Sequence, residues 1–248
     1  MILTESSLML EIEALTRAFG GLVAVNGIDL TVRHSEIVGL LGPNGSGKTT
    51  ALNLISGVLR PDSGTIRLAG RDIAGLATHK IAHLGLARTF QLVRVLDGMT
   101  CAENVRAGLL FHRLAPSRDN IDRDTAQLLE RVGLPGYQRR SATGLTYIDR
   151  KRLELARALA LKPRLLLLDE WLAGLNPSEL RIGIELIRSL KDEGLAILLV
   201  EHVMDAIRSL CDRCVVMNSG RKIADGRPDR VLSDPAVVEA YLGAPVDA

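Results

Sequence analysis

Gly42-Pro43-Asn44-Gly45-Ser46-Gly47-Lys48-Thr49 is the stretch that decides the fold. It fills every fixed position of G-x-x-x-x-G-K-S/T, between a predicted strand, Glu36 to Leu41, and a predicted helix, Thr49 to Val58. Glycines at this spacing let successive backbone N–H groups turn inward and form an anion nest. The helix that follows adds the positive end of its dipole. The segment from Gly42 to Thr50 is therefore expected to hold phosphate groups. Lys48 is placed to reach the β- and γ-phosphates and Thr49 to ligate Mg2+.

Working outward, Leu165-Leu166-Leu167-Leu168-Asp169-Glu170 is a continuous apolar run ending in two carboxylates. An uninterrupted run of this kind predicts a strand buried on both faces. Ligands of open parallel sheets lie beyond the strands' carboxyl ends, so Asp169 can approach a Mg2+ shell there. Glu170, one residue on, can polarise a water for attack on a γ-phosphate. Alone, such a pair would merely end a strand; the phosphate loop upstream gives it a ligand. Ala196 to Glu201 reads as the next buried strand, and Pro177 to about Gly194 as the helix before it.

The rest of the chain fits around this core. Residues 8–41 read as short strands broken by turns, and Thr65 to Ala69 as another. From about 95 to 160 the pattern turns helical, with runs at Cys101 to Leu110, Asp122 to Val132 and Arg150 to Ala160. Leu114 to Asn120 reads as a loop between the first two. Strand–helix alternation resumes at Arg164, which predicts a mostly parallel sheet with a helical insertion.

Composition bounds the function classes. The 248 residues are 47% hydrophobic and 24% charged, with a net charge of +2. That composition is globular rather than disordered. The small net charge argues against nucleic-acid partners. Leu165 to Leu168 and Leu195 to Val200 fall far short of the ~20 residues needed to span a bilayer. The first residues lack the charged start and apolar centre of a signal peptide, so a cytoplasmic location is expected. Three cysteines argue against a disulfide framework, and Cys211-Asp212-Arg213-Cys214 reads as buried thiols rather than a metal half-site. His79 and His83, and the run Arg150-Lys151-Arg152, read as solvated helix faces.

Four further segments give the chain a family likeness. These are Phe19-Gly20-Gly21-Leu22-Val23-Ala24-Val25-Asn26, Ala87-Arg88-Thr89-Phe90-Gln91, Ala173-Gly174-Leu175-Asn176-Pro177 and Val200-Glu201-His202. Singly, Phe19 would be core, Gln91 a solvated loop residue and His202 a strand-end histidine. In this order around the phosphate loop and the Asp-Glu pair, the whole chain resembles an ATP-binding cassette (ABC) ATPase, the motor subunit of an ABC transporter. With the tail Ala240-Tyr241-Leu242-Gly243, it is most similar to the branched-chain amino acid importer ATPases, specifically the subunit with the longer helical insert.

The resemblance implies an α/β fold: a P-loop NTPase core of mostly parallel sheet, an antiparallel β subdomain and an inserted α-helical subdomain. The cassette would span 8–244, with 8–92 and 161–244 as the nucleotide-binding core and 93–160 as the helical subdomain. It implies ATP and Mg2+ as ligands. Phe19 would stack on adenine, Gln91 would sense the metal and the attacking water, and His202 would contact the γ-phosphate. Lys48, Gln91, Glu170 and His202 would carry catalysis, and Thr49, Gln91 and Asp169 the metal. The implied partners are a sister ATPase in a homo- or heterodimer, membrane permeases and, indirectly, a solute-binding protein. The chain would sit on the inner face of the cell membrane. A non-transport ABC ATPase and a nucleotide-binding subunit with weak turnover stay open as alternatives.

Two departures from the family pattern stand out. The signature, usually Leu-Ser-Gly-Gly-Gln, is here Leu145-Thr146-Tyr147-Ile148-Asp149. Thr146 keeps the hydroxyl that would meet the partner's nucleotide. A β-branched Ile148 in place of glycine is expected to obstruct that approach, and the Asp149 charge to oppose phosphate. Together they predict an asymmetric dimer with one strong and one weak site. Trp171 replaces the proline usual after the Asp-Glu pair, beside the expected base.

Overall fold

The computed structural model describes residues 8–111 and 118–242. The chain opens with β1 (Leu8–Phe19), β2 (Leu22–Arg33) and β3 (Ile37–Leu41), and the phosphate loop leads from β3 into α1 (Lys48–Ile55). Then come β4 (Ser63–Leu68), β5 (Arg71–Asp72), α2 (Thr78–His83) and β6 (Leu86–Arg88). The helices α3 (Cys101–Phe111), α4 (Arg118–Arg131) and α5 (Tyr147–Ala160) precede β7 (Leu165–Asp169), α6 (Pro177–Asp192) and β8 (Ala196–Val200). The chain continues through α7 (Met204–Leu210), β9 (Arg213–Asn218), β10 (Arg221–Gly226), α8 (Pro228–Val231) and α9 (Pro235–Leu242).

Two sheets result. An antiparallel sheet runs β2-β1-β4-β5, and a six-stranded sheet runs β10-β9-β3-β8-β7-β6, parallel except for its β10 edge. All five residues of β3, β7 and β8 are buried, as continuous apolar runs between two layers require. One core cluster fills the face under α3, α5, α6 and α7; the other joins the opposite face to α1 and the antiparallel sheet. The parallel register sets Asp169 beside Val200 and Leu41 beside Val216. The phosphate loop, the Asp169-Glu170 pair and Glu201-His202 therefore leave the sheet along one edge.

Several expected boundaries shift. Residues 8–33 form two long strands, because their breaks are bulges with the missing ladder bonds supplied by side chains. Asp29 Oδ1 accepts the Ala14 N–H at 2.8 Å, and Thr16 Oγ1 accepts the Gly27 N–H at 3.1 Å. Of the expected loop, residues 114–117 lie outside the described residues, while 118–120 form the first turn of α4. Polar residues that favour turns also favour helix starts, which is why the sequence misleads there. The helix expected from Arg150 begins at Tyr147, capped by Thr146, whose Oγ1 accepts the Asp149 N–H. Cys101, Cys211 and Cys214 are free, buried thiols. Among the described residues no helix is long and apolar enough to cross a membrane.

Candidate nucleotide site

The phosphate loop is shaped by what surrounds it. Gly42 takes φ +143°, and a Cβ there would lie 2.1 Å from the Met217 carbonyl oxygen. Gly47, at φ +104°, would put a Cβ 2.2 Å from the Ala24 carbonyl oxygen. No other residue fits either position. Gly47 is also the N-cap of α1, and no side chain caps it; the first turn carries no acid. The orphan N–H groups and the helix dipole are thus left for an anion. The Lys48 ammonium folds back onto the carbonyls of Gly42 at 2.7 Å and Pro43 at 2.9 Å. Burial lowers its pKa, while the nearby charges of Glu170 and Asp169 oppose that shift.

The loop floors a cavity of about 670 Å³ lined by Asn44 through Thr50, Phe19, Val23, Gln91 and Glu170. Gly42 and Pro43 lie beneath it and do not line it. Phe19 is partly exposed at its rim, with the Arg17 guanidinium 5.0 Å from the ring centre. Asp62 holds that guanidinium at 2.6 Å. From the far end of the chain, the Tyr241 hydroxyl accepts the Gly42 N–H at 2.8 Å. Nothing local in the sequence points to this contact, since it joins residues 199 positions apart.

The acidic edge gathers three of the expected residues. Gln91 Nε2 donates to Glu170 Oε2 at 2.8 Å, and His202 Nε2 lies 3.0 Å from Glu170 Oε1. Glu170 takes φ +49°, a state that L-residues rarely adopt, and its N–H donates to the Val200 carbonyl at 2.8 Å. Asp169 is buried, and its Oδ2 accepts from Arg88 Nη2 at 2.9 Å. Arg88 also donates to Asn53 Oδ1 and Ser56 Oγ. An ion held by Asp169 would share this carboxylate with Arg88. Sequence reasoning used Arg88 only for the likeness; its signal was a charged residue closing a buried strand after Leu86 and Ala87. The Thr49 hydroxyl, Gln91 amide and Asp169 carboxylate offer only oxygen donors to an ion, a set that suits Mg2+. With the uncapped α1 start, these residues fit a Mg2+-bound polyphosphate.

The structure corrects the reading of the signature. Thr146 is exposed at the start of α5 and does not line the cavity, while Ile148 is turned inward and buried. Asp149 pairs with Arg152 at 3.2 Å. The Ile148 side chain thus does not stand in the path that the expected obstruction requires, and Arg152 answers part of the Asp149 charge. Trp171 is buried rather than facing an interface, and its Nε1–H donates to the Lys151 carbonyl at 3.2 Å. Gly183 on α6 makes the room: a Cβ there would lie 3.2 Å from the indole and 2.7 Å from Leu172.

Glu201, next to His202, is a buried carboxylate that the sequence gave no reason to single out. Its Oε1 accepts the Leu172 N–H at 2.6 Å, and its Oε2 has no partner among the described residues. Burial pushes its pKa up to about 7. The N–H groups of Leu172 and His202 and the Lys151 charge pull it back, and Glu170 adds to the rise. Between pH 4.5 and about 7 the folded chain binds this proton and the unfolded chain does not. Stability therefore falls as pH rises through that window, by ~3 kcal/mol in all. The melting temperature of Glu201→Gln should gain on wild type from pH 5 to pH 8; an offset independent of pH would contradict this.

Comparison with known proteins matches this architecture. The family model described as ABC transporter fits residues 25–173, and the chain belongs to that family as an ATP-binding, ATP-hydrolysing cassette. Residues 221–247 fit the model described as branched-chain amino acid ATP-binding cassette transporter. The chain is 42% identical to BraF of Pseudomonas aeruginosa, a high-affinity branched-chain amino acid transport ATP-binding protein, over 95% of this chain and 98% of BraF. Against LivG of Escherichia coli K12, of the same description, identity is 41% with the same coverage. The crystal structure of the ADP conformation of MJ1267, an ATP-binding cassette of an ABC transporter, superposes with a TM-score of 0.86. Identity to it is 31%, covering 95% of this chain and 99% of MJ1267.

Proposed function

We propose that this chain is the ATPase motor of an importer for branched-chain or chemically related amino acids. The observation that carries the catalytic part is the Glu170 carboxylate, held between Gln91 and His202 at the edge of the phosphate-loop cavity. Mg2+-bound ATP supplies the γ-phosphoryl group and the ion that screens its charge. Phe19 offers its ring to adenine, and backbone N–H groups between Asn44 and Thr50 would hold the phosphates with the Lys48 ammonium. Gly42, its N–H bonded to Tyr241, and Pro43, which has none, shape the loop from beneath. Thr49, Gln91 and Asp169 would hold the ion. Glu170 accepts the proton of the attacking water, and His202 and Gln91 keep its carboxylate aimed. Thr146 faces outward, where it would meet the nucleotide of a sister ATPase in a dimer.

On this reading residues 8–92 and 161–244 form the nucleotide core and 93–160 the helical subdomain. A largely apolar groove of about 620 Å³ lies between α2, α3 and α5, lined by Ala82, Phe90, Leu96, Phe111 and Leu161 among others. Its outer residues, Leu96 and Phe111, are exposed. This groove is where a permease would dock, fixing the chain to the inner face of the membrane. A solute-binding protein would act through the permease, and no nucleic acid takes part.

The test is reconstitution with the permeases, sister ATPase and solute-binding protein of a branched-chain amino acid importer. Leucine-loaded binding protein should stimulate hydrolysis several-fold in proteoliposomes and drive uptake. Phe111→Glu should abolish permease copurification while leaving nucleotide affinity unchanged. Stimulation by no amino acid would overturn the substrate assignment, and full copurification of the variant would overturn the groove.

A further inference from the structure

Lys151 is one of the largest fully buried side chains in the molecule, although the sequence placed it in a surface run. Among the described residues no carboxylate hydrogen-bonds to it. Its ammonium donates to three backbone carbonyls of the segment after β7: Glu170 at 3.2 Å, Trp171 at 2.8 Å and Ala173 at 3.0 Å. The bond is reciprocated, since Trp171 Nε1–H donates to the carbonyl of Lys151 itself. The ammonium also lies 4.9 Å from the ring centre of Tyr147, one turn earlier on α5. On the other side of the same turn, Glu201 accepts the Leu172 N–H. The turn 170–173 is thus gripped by a cation from α5 on its carbonyls and by a carboxyl from the end of β8 on an N–H.

We infer that Lys151 is a positioning residue for Glu170: it fixes the backbone turn from which that carboxylate is presented, and ties it to the start of α5. Glu170 needs such a restraint. Its backbone sits in the left-handed region, which a residue bearing a side chain leaves unless its surroundings hold it. A charge-assisted bond to the Glu170 carbonyl acts on the peptide unit immediately after that strained φ. Without the ammonium, the Trp171 and Ala173 carbonyls lose this donor and the Glu170 carbonyl keeps only the Ala173 N–H at 3.2 Å, so the turn can relax away from the geometry that places the carboxylate between Gln91 and His202. Thr146 and Tyr147, the exposed start of α5, lie on the same rigid helix as Lys151, so the grip also links that exposed end to the base.

The inference rests on the reading of Glu170 as the base, and the two fail differently. Trp171 is the chain's single tryptophan, so its emission reports the turn directly. In the assembled transporter, Lys151→Met should lower kcat at least tenfold, leave nucleotide Kd within twofold and shift the Trp171 emission to the red. Lys151→Arg, which keeps a donor cation, should recover most of the rate. Should the methionine variant fail to fold, Trp171→Phe removes the reciprocal bond, with part of the buried ring, while leaving Lys151 in place, and should lower kcat several-fold at unchanged Kd. A Lys151→Met rate within twofold of wild type, beside an inactive Glu170→Gln, overturns the positioning role alone. So does a loss confined to nucleotide affinity. Hydrolysis surviving in Glu170→Gln overturns the base assignment instead.

Discussion

Glu170→Gln should bind nucleotide as tightly as wild type and hydrolyse it roughly 10²–10⁴-fold more slowly, the range that a positioned general base contributes. The substitution keeps the size of the side chain and its place between Gln91 Nε2 and His202 Nε2. It removes the one property that the proton transfer needs, a carboxylate oxygen that can accept. The amide brings a further change: with an N–H₂ at one terminus, it can satisfy only one of the two donors that Glu170 meets. His202 can answer by presenting an unprotonated nitrogen, since either tautomer is open to it. The turn should therefore hold, and ATP should accumulate in a closed dimer. Equilibrium nucleotide binding separates this from misfolding, and single-turnover phosphate release reads the chemistry. A single-turnover rate within tenfold of wild type would show that another group takes the proton.

How much of this was legible in the sequence follows from the range of each interaction. The phosphate loop and the Asp169-Glu170 pair were readable because their chemistry is written in contiguous residues with fixed spacing. The strands β3, β7 and β8 were readable because burial on both faces leaves uninterrupted apolar runs. What escaped depends on contacts far apart in the chain. Arg88 meets Asp169 across 81 positions, Tyr241 meets Gly42 across 199, and Lys151 meets the turn after Glu170 across 19 to 22. A lysine inside Arg150-Lys151-Arg152 carries a surface composition, and only the helical phase of α5 against β7 turns it inward. The placement of the signature's side chains escaped for the same reason. A change of residue type was read as a change of the presented surface, whereas Ile148 points into its own core and Asp149 is answered by Arg152 one turn on. Trp171 is tolerated through Gly183, a compensation 12 positions away on another helix that residue-by-residue reading does not connect.

Lys48→Ala carries the other large expected effect, on binding rather than chemistry. The ammonium is the one cationic side chain among the residues lining the cavity, and an ion pair hydrogen-bonded to phosphate in a partly buried site is worth about 3 kcal/mol. Its removal should weaken ATP affinity by roughly 100-fold. Two opposing contributions bear on that figure. Lys48 also ties the loop to itself through the carbonyls of Gly42 and Pro43, so alanine should loosen the loop and add to the loss. Against this, a bound phosphate must draw the ammonium away from those same carbonyls, which offsets part of what the wild type gains. Lys48→Arg separates the two, because it keeps the charge while replacing the compact ammonium with a larger planar fork. If charge alone decides, arginine should recover at least tenfold of the lost affinity. If the compact ammonium in its loop decides, arginine should bind no better than alanine. Isothermal titration with ATP and ADP reads both, and an alanine variant whose ATP affinity stays within threefold of wild type would remove Lys48 from the phosphate site altogether.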